Sequence, residues 1–166
     1  MKKIKPVTQG EVFGHWERVE KDVFYQRGEL ISPLVSYGNV HWSLVEIEEK
    51  DTDLLFIISS DDWCRDGLCN PNFKLTTAVS NYERLLHPSG KLKNIYEKEV
   101  ILERDLNALD TKLVLVSINT GGPFTIIEGN KRAVALGKLD RLVGLEVYLG
   151  ISPNIRNYVW ARHTYE

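Results

Sequence analysis

Cysteine is nearly absent from this chain: Cys64 and Cys69 are the only two among 166 residues. Two thiols are too few for a four-thiolate zinc site, and without histidines at companion spacing they predict reduced, incidental side chains. Long hydrophobic runs are also missing. No stretch approaches the ~20 apolar residues that cross a bilayer. The opening Met1-Lys2-Lys3-Ile4-Lys5-Pro6 is basic without the apolar segment of a secretion signal, so a cytoplasmic protein with no membrane partner is expected. Nor is there an excess of one charge. The 21 Lys and Arg against 23 Asp and Glu leave a formal charge of -2, which supplies no global field toward a phosphate polymer. DNA is therefore not favoured as a partner. Repeats, low-complexity tracts and linkers are lacking too. What the chain does have is 43% hydrophobic content, in a length that suits one domain over residues 1–166.

Periodicity is poor in residues 1–30, where Val12-Phe13 and Val23-Phe24-Tyr25 read as buried anchors of short strands or turns. From Val40 to Ile47 the pattern partly alternates, Glu48 to Thr52 turns, and Leu54 to Ile58 is a continuous apolar run. Two adjacent strands forming an antiparallel hairpin explain this. Asp61 to Gly67 reads as a polar loop, and Leu75, Val79, Tyr82, Leu85 and Leu86 line one face of a helix that His87-Pro88-Ser89-Gly90 stops. Ile95 to Leu106 reads as helix or strand. Thr111 to Asn119, Phe124 to Ile127 and Leu142 to Gly150 read as strands, with a helix over Gly129 to Leu139. The fold class is α+β with a mixed sheet.

Chemistry shows most clearly at Ile127-Glu128-Gly129-Asn130-Lys131-Arg132-Ala133, where a β-branched strand passes through a glycine directly into a helix. The first N–H groups of a helix lack intrahelical partners and carry the positive end of its dipole, so with Lys131 and Arg132 beside them they form an anion cradle. Both cations stand at the wrong end of a helix for its dipole, an arrangement that a bound anion reverses, or one of them pairs with a surface carboxylate.

This string, within residues 105–151, resembles the motif of the ParB/sulfiredoxin superfamily. There a hydrophobic strand ends in an acidic or small residue, a glycine, polar or basic residues and an arginine that opens a helix. The resemblance implies a ParB/sulfiredoxin-like core in the C-terminal half, phosphate binding by Gly129, Asn130, Lys131 and Arg132, and ATP or another nucleotide as cofactor. The chain departs from the reductase branch, which needs a Cys before its His-Arg pair, and Lys131 stands where other branches carry His.

Glu128 reads two ways: a Mg²⁺ ligand or general base in a Mg-dependent phosphotransferase or nucleotide hydrolase, or a cap on the helix. Asn130 likewise caps or meets a ligand. The acceptor is not visible in the sequence. A non-catalytic, nucleotide-responsive module for DNA or a protein partner, and a defence-associated nuclease or toxin with Asp61 and Asp62 as metal ligands, are the alternatives. Asp61 and Asp62 also fit a solvated turn, because adjacent side chains diverge. His41 and Trp42 face opposite sides of a strand, so His41 points to a site with Trp42 in the core, or the reverse; core or interface suits Trp42. The tail from Ser152 to His163 either folds back to extend the phosphate site or plugs the core with Trp160.

Overall fold

In the computed structural model, which describes residues 1–85 and 90–165, a six-stranded mixed sheet is flanked by helices on both faces, an α+β architecture. The strands are β1 (Lys2–Pro6), β2 (His41–Glu46), β3 (Leu55–Phe56), β4 (Val114–Ser117), β5 (Phe124–Glu128) and β6 (Glu146–Ile151). Their order across the sheet is β1-β2-β6-β4-β5-β3. The β4/β6 and β3/β5 pairs are parallel and the others antiparallel. Alternation splits the core. Leu115, Phe124, Ile126, Val147 and Leu149 face α4 (Leu75–Arg84), α5 (Lys91–Arg104) and α6 (Asn130–Lys138). Val114, Val116 and Ile127 face α1 (Gln9–Val19), α2 (Gly28–Ser36) and the turns of the C-terminal tail.

The start of the chain differs from the expectation of strands or turns. Thr8 and Glu11 form a reciprocal capping box, with the Glu11 N–H donating to Thr8 Oγ1 at 3.1 Å and the Thr8 N–H to Glu11 Oε2 at 2.7 Å. This satisfies two helix-end donors and starts α1, whose Val12, His15 and Trp16 recur at one-turn spacing and are buried. Tyr25, expected to be buried, is 78% exposed.

The expected hairpin of residues 40–58 does not form. β2 spends both its edges on β1 and β6, and a 3-10 turn over Glu49–Leu54 carries the chain past them. β3 then joins the far edge, with β6, β4 and β5 lying between it and β2. Its neighbour Ile57 is fully buried, which accounts for the unbroken apolar run. Ile95 to Arg104 resolves as the end of α5, with Leu92, Ile95 and Leu102 as its buried stripe, while Asp105 is extended and Leu106 opens a 3-10 turn. Asp61–Arg65 is a short helix, α3, rather than a loop. The expected stop at His87-Pro88-Ser89 lies outside the described residues. Cys64 and Cys69 are not free thiols but form a disulfide, their Cα atoms 4.7 Å apart. The turn at Gly67, φ 79°, brings them within bridging range.

Candidate anion site at the β5–α6 turn

β5 and β4 fall out of simple register where the turn begins: Val114 pairs with Glu128, but Leu115 pairs with Ile126. The extra residue, Ile127, is a bulge, and it turns Glu128 to the side of the sheet that Val114 faces, toward α1. Gly129 follows at φ 88°, and its carbonyl accepts the first helical hydrogen bond, from the Ala133 N–H at 2.8 Å. An ideal Cβ at Gly129 would stand 2.6 Å from Leu113 Cδ2, so both backbone angle and space demand glycine. No side chain caps α6, which leaves the N–H groups of its first turn available to a ligand.

The side chains predicted to gather here separate into two levels. Glu128 and Arg132, each 5% exposed, form an ion pair with one another, and Arg132 also donates to the Asp110 carbonyl. Glu128 therefore does not cap the helix. Its Oε2 has no hydrogen-bond partner among the described residues. Asn130 is also engaged, its Oδ1 accepting from the Ile58 N–H at 2.9 Å and its amide donating to the Ile126 carbonyl at 3.0 Å. That side chain clips the chain leaving β3 to β5. Gly129 and Lys131 alone stay partly open.

Lys131 is half-buried, and no carboxylate lies within ion-pair distance of it among the described residues. Burial pushes its pKa down, and the neighbouring charges of Lys91, Lys98 and Arg27 push it further, with Asp62 opposing. Lys91 and Lys98 stand seven residues apart on α5, which packs against α6. Arg27, from the 3-10 turn Phe24–Arg27, is held by Glu20, with its Nε and Nη2 at 2.7 and 2.9 Å from the carboxylate. Positive charges from α5 and from the 3-10 turn thus bear on Lys131 at the helix end. Sequence reading missed Lys91, Lys98 and Arg27; the seven-residue spacing beside the stripe of Leu92, Ile95 and Leu102 was the available signal for the first two.

Beneath the turn lies an acidic group. Burial pushes the Glu128 pKa up to about 7 against the pull of Arg132, with Glu20 and Asp110 pushing it further. Burial also raises Glu20, but hydrogen bonds from Arg27 and from Trp16 Nε1 outweigh it and hold that carboxyl below its ordinary value. His15, buried on α1, places Nδ1 3.4 Å from Asp110 Oδ2 and Nε2 3.3 Å from the Lys112 carbonyl, and burial lowers its pKa. With one oxygen taken by Arg132 and the other closed to solvent, Glu128 suits a proton or a guanidinium better than a divalent cation. No group of three or more His, Cys, Asp or Glu among the described residues is arranged to hold a metal.

The remaining candidates are engaged elsewhere or border the site. Asp61 pairs with Arg162 of the tail at 2.8 Å, while Asp62 pairs with Lys91 at 2.6 Å, the divergence expected of neighbours. His41 is exposed and Trp42 buried. In the tail Tyr158, not Trp160, is the fully buried plug. No helix among the described residues is long and apolar enough to cross a membrane. Comparison of the chain with family models, curated proteins and solved structures gives no match.

Proposed function

We propose that this chain is a cytoplasmic nucleotide-binding protein with a ParB/sulfiredoxin-like core, holding the phosphates of ATP or another nucleotide at the N-terminus of α6. The observation that carries the reading is Lys131. A half-buried ammonium with no carboxylate partner among the described residues, crowded by Lys91, Lys98 and Arg27, is costly unless an anion joins it. The adjacent helix end and Gly129 supply backbone donors for that anion. The buried Glu128–Arg132 pair works from below, fixing the turn. Phosphate binding here thus rests on Lys131 and the backbone more than on Arg132.

The reaction class is phosphotransfer or nucleotide hydrolysis. A carboxyl titrating near neutrality is matched to general acid–base work, and Glu128 adjoins the cradle in sequence. Magnesium fits best as an ion carried in by the phosphates. A second reading, a nucleotide-responsive module without turnover, is favoured by one observation: Glu128 is closed to solvent and tied to Arg132.

Calorimetric titration with a nucleotide panel, with and without Mg²⁺, tests the site. Lys131→Ala should lower affinity by about tenfold or more, as loss of a charged hydrogen-bond donor does. Lys138→Ala, at the far end of the same helix and paired with Glu83, should not. Equal affinity in wild type and Lys131→Ala would remove the site. Nucleotide consumption followed by phosphorus NMR separates the readings: turnover that Glu128→Gln abolishes marks the enzyme, and binding without turnover marks the module.

A further inference from the structure

Among the described residues, every group that grips Lys91 comes from one short segment. Its Nζ lies 2.6 Å from Asp62 and 3.6 Å from Asp66, and 4.9 Å from the centre of the Trp63 ring. Asp62 is itself steadied by the Ser60 hydroxyl at 2.5 Å. α3, which carries Asp62 and Trp63, has five residues, too few to hold a helix by its own hydrogen bonds. The segment is fixed by burial of Trp63 and Leu68 and by the Cys64–Cys69 disulfide that closes it.

We propose that the Cys64–Cys69 bond is a redox latch on the anion site, holding Asp62 against Lys91 so that a carboxylate occupies one of the cations a phosphate chain would use. The inference rests on the phosphate-binding reading of the β5–α6 turn. In the oxidised protein Asp62 acts as a built-in competitor. The segment leaves β3 beside that helix end, where the Ile58 N–H donates to Asn130 Oδ1 at 2.9 Å, and α5 packs against α6, so Lys91 and its carboxylate partners lie next to the turn. Of the neighbouring charges Lys91 lowers the Lys131 pKa most.

The chemistry of release is ordinary thiol exchange. Cys64 is exposed and Cys69 is 3% exposed, so the thiolate of a protein or small-molecule dithiol reaches the Cys64 sulfur. Attack there forms a mixed disulfide and expels the Cys69 thiolate, which takes a proton. The second thiol of the reductant then displaces Cys64 as a thiol, and the reductant leaves as its own disulfide, two electrons and two protons having passed to the protein. In a reducing compartment such a bond is transient, as redox-sensing bonds are. Reduction loosens α3, withdraws Asp62 and Asp66 from Lys91, and turns that cation toward the ligand.

The test is calorimetry of inorganic pyrophosphate binding to the full chain, once air-oxidised and once reduced under nitrogen, with thiol titration to confirm each state. The reduced protein should bind about three- to fivefold more tightly, the scale of a half-exposed ion pair. Asp62→Asn in the oxidised state should match that gain and lose its response to reduction. Equal or weaker binding on reduction, or two thiols that never oxidise, would overturn the latch while leaving the site in place. No pyrophosphate binding in either state would overturn both.

Discussion

Glu128 carries an electrostatic consequence that falls between acid and neutral pH. Its ordinary pKa of 4.5 is pushed up to about 7 by burial. Below pH 4.5 the carboxyl is protonated in folded and unfolded chains alike, and between 4.5 and 7 only the folded chain keeps the proton. Its contribution to stability is therefore fully present in acid and is lost as pH rises through 7, by up to about 3 kcal/mol. His15 works in the opposite sense, since a lowered folded-state pKa makes the unfolded chain the better proton binder. The wild-type curve alone would mix the two. Urea unfolding of wild type and Glu128→Gln from pH 4 to 8 separates them, because glutamine still accepts from Arg132 but does not titrate. The stability difference should shift steadily toward the mutant as pH rises, and a difference independent of pH would show that Glu128 ionises alike in both states.

At the scale of elements, close backbone approach decides which strands can be neighbours. Trp42 on β2 lies over Gly150 on β6, and a Cβ there would stand 2.7 Å from the indole. Gly150→Ala should displace the ring and cost about 1 to 3 kcal/mol, seen as a lower denaturant midpoint and altered tryptophan emission. Gly28→Ala, with nothing within 4 Å, should change stability by no more than about 0.5 kcal/mol and leave the midpoint nearly unmoved. An unchanged midpoint in Gly150→Ala would mean that β2 and β6 tolerate a wider spacing. This pairing also shows where sequence reading stopped. β4, β5, α6 and β6 were legible because each is a short apolar run or helical stripe bounded by its own turn signals. The place of β3 was not, since the six-strand order depends on which edges β2 spends on β1 and β6. α1 was overlooked because Gly10 and Gly14 obscure its periodicity, although Thr8 and Glu11 carried its start signal. At the site, the passage of β5 through Gly129 directly into a helix was legible from the motif alone. The commitment of Arg132 and Asn130 to internal partners was not, because it depends on the bulge at Ile127 and on the strand that Ile58 leaves.

For the whole molecule, the C-terminal tail joins regions that the sheet leaves separate. Tyr158, 1% exposed, reaches across 128 positions to donate its hydroxyl to the Leu30 carbonyl of α2 at 2.7 Å. Ile155 and Ala161 pack beside it over the α1-facing side of the sheet. Farther on, the His163 N–H donates to Ser59 Oγ, Thr164 meets Thr125, and the Tyr165 hydroxyl accepts from the Ile118 N–H, so that β3, β5 and the end of β4 are tied to the same tail. These contacts link the α2 layer to the start of β5, to the end of β4 and to the segment from which α3 departs. Tyr158→Phe keeps the ring and should cost about 1 kcal/mol, a fall in Tm of about 2 to 4 °C for a chain of this size. Tyr158→Ala opens a cavity among Leu34, Trp16 and Ile155 and should cost about 3 to 5 kcal/mol, lowering Tm by about 10 °C or more. Calorimetry should show one transition in all three proteins, since the tail, α2 and the sheet share a core cluster. A separate low-temperature transition in Tyr158→Ala, with the main one unmoved, would show instead that the tail melts on its own and that the sheet holds without it.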